Sequence, residues 1–372
     1  MDLDTFFVSV EYLRNEKLKG KPVLIGGMSD RGVVAACSYE ARKFGIHSGM
    51  AMKLARRLCS HALVIKSDYD AYSKYSRIVT DIIQDTVPTF EKASIDEFYI
   101  DLTGMDKFFG CRKFSNELKT KVTRESGLAI SYGLSSNKLI SKVATNEVKP
   151  NGQLEIDFGN EKSFLAPLSI MKIPGVGKEA GFKLLKMGVE TVKTLSEIPV
   201  KLMFNLLGKN GIELHRKAYG IDEAPVIPYR EQKSISTEHT FESDTIDMNF
   251  MHRELVRMTE SIAFDLRSKN KLTGCVAVKI RYSDFQTEQK QTTITYTASD
   301  HLLLQTVNEL FDRLYTKRQL IRLIGVRFSD LIMGTHQVNM FEDTQESIRL
   351  YQAIDSIKKQ YGEKLLIRAA GC

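Results

Sequence analysis

Two groups of acidic residues stand among apolar, strand-forming residues. In "ASIDEFYIDL" (93–102) Asp96 and Glu97 are adjacent, and in "MDLD" Asp2 and Asp4 are two apart. Residues two apart share a strand face, whereas adjacent residues converge on one ligand only at a turn or bulge. The simplest interpretation of an isolated Asp-Glu pair is an exposed hairpin tip. Because a buried unpaired carboxylate is costly, these acids are expected at an exposed strand end, paired with cations or on a metal.

Two acid-bearing strands meeting in one sheet would gather several carboxylates. Oxygen-only ligands select Mg²⁺ or Mn²⁺, and a pair of such ions supports in-line phosphoryl transfer. Such a site needs groups that hold a triphosphate. Tyr39 and Arg42 in "SYEARKFGI" are three apart and share a helix face, and Lys149 precedes the Pro-Gly break in "VKPNG".

The elements that would position these residues alternate between strand and helix patterns. Strands are predicted in "MDLDTFFVSVEYL" (running into a helix), "KGKPVLIGG", "GVVAACSYEARKFGI" (again into a helix), "ASIDEFYIDL" and "LAISYGLSS", with further helices at 70–87, 114–126 and 137–148. This interleaving predicts an α/β layer over about the first 160 residues.

The rest of the chain divides into three parts. Short helices without a strand fill 165–227, and the polar connector "YREQKSIS" follows. A second α/β unit then combines helices at 249–266 and 302–315 with alternating strands in "GCVAVKIRYSDFQTEQKQTTITYT" and "LIGVRFSDL". An amphipathic helix is predicted at 344–361.

Composition excludes some classes of protein and permits others. The 372 residues are 42% hydrophobic, without Trp and without an apolar run of the roughly 20 residues that span a bilayer, which predicts a cytoplasmic protein with no membrane association. Five scattered Cys form no zinc or disulfide pattern. A net charge of +7 permits a polyanionic partner.

With these features the sequence resembles the Y family of translesion DNA polymerases, and it is most similar to the bacterial DNA polymerase IV type. The motifs that carry the resemblance occur in the family's order: "MDLDTFFVSVE", "SYEARKFGI", "ASIDEFYIDL", "YGLSSNKLISKVATNEVKPNG", "IPGVGKEAGFKL" and "IGVRFSDL". The resemblance implies an error-prone, template-directed DNA polymerase that uses deoxynucleoside triphosphates and primer-template DNA and acts as a monomer. No proofreading exonuclease motif is apparent.

The resemblance also implies site residues. Asp2, Asp96, Glu97 and the main-chain carbonyl of Leu3 match ligands of two Mg²⁺ ions, with Mn²⁺ as a substitute, and Asp4 matches an acid that is not a ligand. Phe7 matches a steric gate against the ribose 2′-OH. The other nucleotide-binding positions are Phe6, Tyr39, Arg42 and Lys149.

The implied fold is a mixed α/β, right-handed polymerase. Its predicted parts are a palm (1–10 and 68–158), small fingers (11–67), a helical thumb (159–228), a linker (229–233), a separate α/β little finger (234–341) and a helical tail (342–372). Family members carry several residues before the first catalytic aspartate, so either the start shown lies too far downstream or the first strand is truncated.

Contacts with DNA and with a sliding clamp are expected outside the palm. "IPGVGKEAGFKL" predicts a helix-hairpin-helix in which Gly175, Gly177 and Lys178 approach a phosphate. Acids and bases nearly cancel in the little finger, so DNA must be held there by a local stripe, with Lys233, Arg281, Lys290 and Arg327 as candidates. "QVNMF" resembles a clamp-binding peptide, with Gln337, Met340 and Phe341 as its anchors.

Two alternatives remain open. A catalytically weakened paralogue would bind DNA and the clamp as an accessory factor, although such relatives usually lose the carboxylates. A palm-domain nucleotidyl cyclase would share the metal chemistry but has no use for a helix-hairpin-helix or a second α/β domain.

Overall fold

The computed structural model describes residues 1–105, 110–334, 344–362 and 366–371. The chain divides into two compact units, Met1–Arg230 and Glu231–Cys372. Within the described ranges, no helix combines the length and the apolar character that crossing a membrane requires.

The first unit contains eight strands and eleven α-helices among its described residues. The strands are β1 (Asp2–Leu3), β2 (Val23–Gly26), β3 (Val34–Cys37), β4 (Leu63–Lys66), β5 (Phe90–Lys92), β6 (Phe98–Ile100), β7 (Ile130–Leu134) and β8 (Gln153–Glu155). The helices are α1 (Phe6–Arg14), α2 (Tyr39–Arg42), α3 (Met52–Leu58), α4 (Tyr69–Gln84), α5 (Cys111–Ser126), α6 (Lys138–Glu147), α7 (Glu161–Leu165), α8 (Lys178–Lys186), α9 (Val192–Glu197), α10 (Val200–Leu207) and α11 (Lys209–Ala218).

Small sheets organise this unit. β1 pairs antiparallel with β7, and β7 pairs parallel with β8. β2 lies between antiparallel β3 and parallel β4, and β5 and β6 form an antiparallel pair. Apolar faces of α1, α4 and α5 cover a core that includes Leu3, Phe6, Val79, Phe98 and Ile130. The predicted α/β layer is therefore confirmed.

β1 is short because the backbone turns sharply after it. Thr5 has a left-handed conformation with φ 41°, which ends the strand and lets α1 begin at Phe6. The "KPNG" break is equally constrained, since a Cβ at Gly152 would lie 1.8 Å from the Val148 carbonyl oxygen. Only glycine fits there, and this close approach holds Lys149 and Asn151 beside β1.

The second unit is a four-stranded antiparallel sheet backed by helices. Its strands are β9 (Ser234–Thr245), β10 (Lys271–Tyr282), β11 (Thr287–Thr297) and β12 (Ile321–Met333), in the order β11-β10-β12-β9. Its helices are α12 (Met248–Ser268), α13 (Asp300–Leu314) and α14 (Thr344–Tyr361).

Alternation along these strands separates a covered face from an open one. Val278 pairs with Val326 and Ile280 with Ile324, and these residues pack on α12 and α13. The intervening residues of β10 and β12 form the open face. β9 was not predicted from the sequence, because Ile235 and Phe241 are its only buried residues.

The predicted C-terminal helix is confirmed as α14, which packs on α12. Arg267 donates to the two Asp355 carboxylate oxygens at 2.8 and 2.9 Å and also pairs with Asp300. The His301 amide donates to the Tyr351 hydroxyl at 3.2 Å. The tail is thus tied to both of the other helices of the second unit, α12 and α13.

Candidate active site

The first strand and the acidic segment of the chain lie side by side. Asp2 faces Glu97 across an isolated antiparallel bridge. The Leu3 amide donates to the Asp96 carbonyl at 3.0 Å, and the Phe98 amide donates to the Met1 carbonyl at 2.9 Å. The two acid-bearing segments therefore meet, although they are far apart in the sequence.

The apolar run predicts that Asp96 and Glu97 lie within a long core strand. The structure differs. β6 begins only at Phe98, and both acids occupy the bend before it, half-buried. The Ser94 hydroxyl accepts from the amides of Asp96 and Glu97 at 3.3 and 3.1 Å and donates to the Asp96 carboxylate at 2.6 Å. This turn is the condition under which adjacent acids converge on one ligand.

Two lysines neutralise part of the charge of the acids. Lys149 contacts the Asp2 carboxylate, and Lys142 of α6 donates to Glu97 at 2.5 Å. Burial raises the pKa of Asp2 to about 6; Lys149 opposes this shift, and the charges of Asp96 and Glu97 add to it. The site therefore has more negative charge than its lysines neutralise.

The donor set fits a hard divalent cation. Because the N–H and C=O of one extended residue point to the same side, the Leu3 carbonyl lies on the side of Asp96, and all donors are oxygens. In the described ranges, no three acidic, His or Cys side chains already surround a common point. This is expected where Lys142 and Lys149 hold two of the carboxylates.

Asp4 has a separate, structural environment. It is 2% exposed and accepts from the Ser131 hydroxyl at 2.9 and 3.0 Å and from the Asn151 amide at 2.6 Å. Its hydrogen bonds hold the "KPNG" turn against β1, so its carboxylate is already satisfied within the protein.

Tyr39 and Arg42 lie on the single turn α2, which begins after Ser38 caps it. The Tyr39 hydroxyl is buried and has no hydrogen-bond partner among the described residues. Burial raises the pKa of Tyr39 to about 12, and the charges of Asp4 and Asp2 contribute, so the hydroxyl is a proton donor close to the acids. The Arg42 guanidinium lies 5.1 Å from the centre of the Tyr39 ring. An unsatisfied buried donor beside a guanidinium suits a phosphate oxygen.

Phe6 and Phe7 have different environments at the start of α1. The Phe7 ring is half-buried and stacks on Tyr72 at 4.2 Å with an angle of 12°, and Tyr69 meets it edge-on at 5.7 Å. Phe6 is 2% exposed within the core. The Phe6 side chain is therefore not open to a nucleotide, and the predicted nucleotide contact at Phe6 stays a prediction for its backbone amide, in the uncapped first turn of α1.

The predicted helix-hairpin-helix around the glycine-rich turn is present only in its second half, where the turn leads into α8. Gly175 has φ 103°, and Gly177 precedes α8 without a side-chain cap, with Lys178 exposed beside it. The segment ahead of the turn, however, is a single 3-10 turn at Ile170–Lys172 and not a full helix. Pro174 explains this, because it disfavours helical geometry in the residue before it.

The second unit brings two of the four predicted DNA-binding residues to one surface. Arg281 and Arg327 lie on the open face of the sheet, and Lys233 is exposed just before β9. Lys290 is opposite Val278, hence on the covered face, where it donates to the Arg313 carbonyl at 2.6 Å. The expectation of one stripe that includes Lys290 is therefore corrected. Gln337, Met340 and Phe341 lie outside the described residues.

Comparisons with known proteins agree with this organisation. Residues 1–146 match the model of the impB/mucB/samB family, and residues 232–340 match the C-terminal domain of the same family. A DNA polymerase IV from Dehalococcoides mccartyi is 38% identical over 366 residues, which is 97% of this chain and 94% of that protein. A DNA polymerase IV from Methanoculleus marisnigri is 35% identical, over 92% of this chain and 96% of its own length.

This chain belongs to the Y family of DNA polymerases. The fold agrees: a solved Y-family DNA polymerase chimera, 24% identical, superimposes with a TM-score of 0.79 over 90% of this chain and 98% of its own. The predictions of a mixed α/β polymerase fold and of a DNA-directed DNA polymerase are confirmed at the level of the family.

Sequence reasoning missed several residues around the site of this Y-family polymerase. Lys142 and Ser94 contact the acids directly, and Lys138 lies with its Nζ 4.8 Å from the centre of the Tyr99 ring. The available signal was the spacing of Lys138 and Lys142, which are four apart and therefore share a face of α6. Nothing in the sequence alone indicated that this face meets Glu97.

Proposed function

We propose that this Y-family polymerase extends a primer 3′-OH along a DNA template by in-line transfer of a nucleotide, using two divalent cations. The observation that carries the proposal is the bridge between Asp2 and Glu97, which places three acids, Asp2, Asp96 and Glu97, on adjoining segments, with the buried Tyr39 hydroxyl near Asp2. Together with the Leu3 carbonyl they form the proposed ligand set for Mg²⁺, or Mn²⁺ in its place.

The ions, when bound, would activate the primer hydroxyl and neutralise the β- and γ-phosphates. The chain's own residues prepare the rest of the site. Ser94 holds the bend so that Asp96 and Glu97 present their carboxylates together. The Tyr39 hydroxyl and the Arg42 guanidinium donate to the triphosphate, and Lys149 adds a mobile positive charge once Asp2 is engaged elsewhere.

Selection of the sugar is proposed to rest on Phe7. The Phe7 ring is held in position, because it stacks on the fully buried Tyr72. Tyr72 in turn donates a hydrogen bond to Glu11 at 3.0 Å. A ribose 2′-OH would meet this fixed ring, whereas a deoxyribose would pass.

The protein is proposed to hold DNA through contacts with the phosphate backbone of the DNA. The uncapped start of α8, flanked by Gly175, Gly177 and Lys178, offers amides and a charge to a phosphate. Arg281 and Arg327 project from the open sheet face, and neither has an acidic partner among the described residues. Such contacts do not depend on base sequence, which suits synthesis on damaged templates.

The proposed domain assignment retains the boundaries stated above: palm, fingers (11–67), thumb (159–228), little finger (234–341) and tail. We further propose an error-prone enzyme of translesion synthesis, as the resemblance to the Y family implies. Binding to a sliding clamp through Gln337, Met340 and Phe341, a cytoplasmic location and a monomeric state belong to the same proposal.

Primer extension on a primed template tests the proposal. With Mg²⁺ and deoxynucleotides the wild-type chain should add nucleotides in template order, and chelation by EDTA should stop it. Asp96→Asn should bind primed DNA but add nothing, whereas Asp101→Asn, an exposed acid just past β6, should remain active. Binding without synthesis by the wild-type chain would instead favour the accessory paralogue.

A further inference from the structure

The chain that follows α11 is irregular, yet it is fixed to the rest of the first unit. Residues 221–230 contain no helix or strand. Glu91 of β5 is the centre of their attachment: one of its carboxylate oxygens accepts from the Ile227 amide at 2.9 Å, and the other accepts from the Arg230 guanidinium at 2.9 Å. Lys138 of α6 donates to Glu91 at 2.5 Å.

Further hydrogen bonds tie the same segment to the first turn of α6. The Asn137 side-chain amide donates to the Gly220 carbonyl at 2.9 Å, and the Leu139 backbone amide donates to the Asp222 carboxylate at 3.0 Å. Lys138 also reaches the Pro225 carbonyl at 3.2 Å. Residues 220–230 therefore form a strap across the start of α6.

The Glu91 carboxylate is buried, so water cannot take its place as the acceptor for its donors. It is 5% exposed, and its carboxylate joins β5, α6 and the strap. Although burial acts to raise it, the pKa of Glu91 is lowered by the hydrogen bonds from Ile227 and Lys138, so the group is charged at neutral pH. Removing a buried charged acceptor leaves its donors unsatisfied, which is the costly case.

The strap is connected to the acids through α6. Lys138 and Lys142 lie four apart on one face of this helix; the first contacts Glu91 and the second contacts Glu97 at 2.5 Å. We propose that Glu91 is a positioning residue that clasps residues 220–230 over the first turn of α6 and so fixes the place from which Lys142 holds Glu97. The catalytic consequence rests on the proposed function, whereas the clasp itself does not.

Glu91→Gln tests the clasp, with Glu223→Gln as the matched control. Gln keeps the size of the side chain but replaces one acceptor oxygen with a donor that must face Arg230 or Lys138. Glu223 lies on the same strap but is 79% exposed in its ion pair with Arg216. In hydrogen exchange measured by mass spectrometry on the full chain, Glu91→Gln should exchange about 10- to 100-fold faster over 220–230, and the control should match wild type.

Steady-state incorporation separates positioning from mere stability. Glu91→Gln should lower kcat about 2- to 30-fold and leave KM for the deoxynucleotide unchanged, because Tyr39 and Arg42 lie on a different element. Glu91→Asp, which keeps the charge, should recover part of both effects. Should Glu91→Gln fail to fold, Arg230→Gln removes a partner that is 66% exposed and should show smaller shifts in the same direction.

Unchanged exchange over 220–230 in Glu91→Gln would overturn the clasp. Faster exchange with an unchanged kcat would overturn the positioning role and leave Glu91 as a structural residue only. If the wild-type chain incorporates no nucleotide, the proposed function fails, while the exchange experiment still decides whether Glu91 clasps the strap.

Discussion

Removing the unsatisfied hydroxyl of Tyr39 is predicted to raise the stability of the free protein but to weaken nucleotide binding. In the free protein this buried group has no partner among the described residues, a state that costs about 1–3 kcal/mol. Tyr39→Phe should therefore stabilise the free protein by about 1–3 kcal/mol, which is about 2–4 °C of Tm per kcal/mol for a unit of this size. With a bound triphosphate the hydroxyl gains a charged acceptor, so the same change should weaken nucleotide binding about 10- to 100-fold.

Two other tyrosines serve as controls. The Tyr282 hydroxyl is also buried and has no partner in the described part of the chain, but it lies in the second unit, so Tyr282→Phe should stabilise the protein and leave KM unchanged. Tyr72 donates to Glu11 at 3.0 Å, so Tyr72→Phe should lower stability by about 1 kcal/mol. Thermal unfolding followed by circular dichroism and single-nucleotide incorporation kinetics measure the two quantities.

Either of two results for Tyr39→Phe would contradict these expectations. A lower Tm would mean that the hydroxyl is satisfied in the free protein. An unchanged KM for the deoxynucleotide would mean that it does not meet the triphosphate. Because the pKa of Tyr39 is near 12, its role as a donor should persist across the pH range in which the enzyme is assayed.

Three further predictions concern sugar choice, DNA and the clamp. Phe7→Val should raise ribonucleotide incorporation at least about tenfold in primer extension, and an unchanged ratio would remove Phe7 as the gate. Arg327→Ala should reduce the slope of log affinity against log salt by about 1 in DNA-binding titrations, whereas Lys290→Ala should not, because Lys290 faces α13. Replacing Met340 and Phe341 with Ala should abolish stimulation by a sliding clamp and spare basal synthesis; persistent stimulation would contradict the clamp motif.

Much of the fold follows from local patterns in the sequence. Helices such as α4 and α12 carry strong apolar stripes, and β10 alternates between core and open face, so periodicity is sufficient to predict them. β9 has only Ile235 and Phe241 in the core; its pairing with β12 and not its own composition makes it a strand. The boundary of β6 escaped prediction because Ser94 stabilises a bend within an apolar run.

Residue types and motif spacing were sufficient to predict which acidic residues belong to the candidate site. The segments that carry Asp2, Asp96 and Glu97 do lie side by side, because β1 and the bend before β6 are joined by backbone hydrogen bonds, whereas metal binding by these acids stays a prediction. The partners of these acids were not predictable, since Lys142 and Glu91 owe their roles to contacts with residues distant in sequence. Side-chain direction was also hidden, as the buried ring of Phe6 and the covered face of Lys290 illustrate.

Direct counting of bound metal ions tests the central claim most closely. In a complex with a primer ending in a 3′-dideoxynucleotide, template and the incoming deoxynucleotide, Mn²⁺ titration followed by electron paramagnetic resonance should show two ions per wild-type chain. Glu97→Gln should lose at least one of them, and Asp101→Asn should keep both. The same stoichiometry and affinity in Glu97→Gln as in wild type would contradict the assignment of these carboxylates as metal ligands.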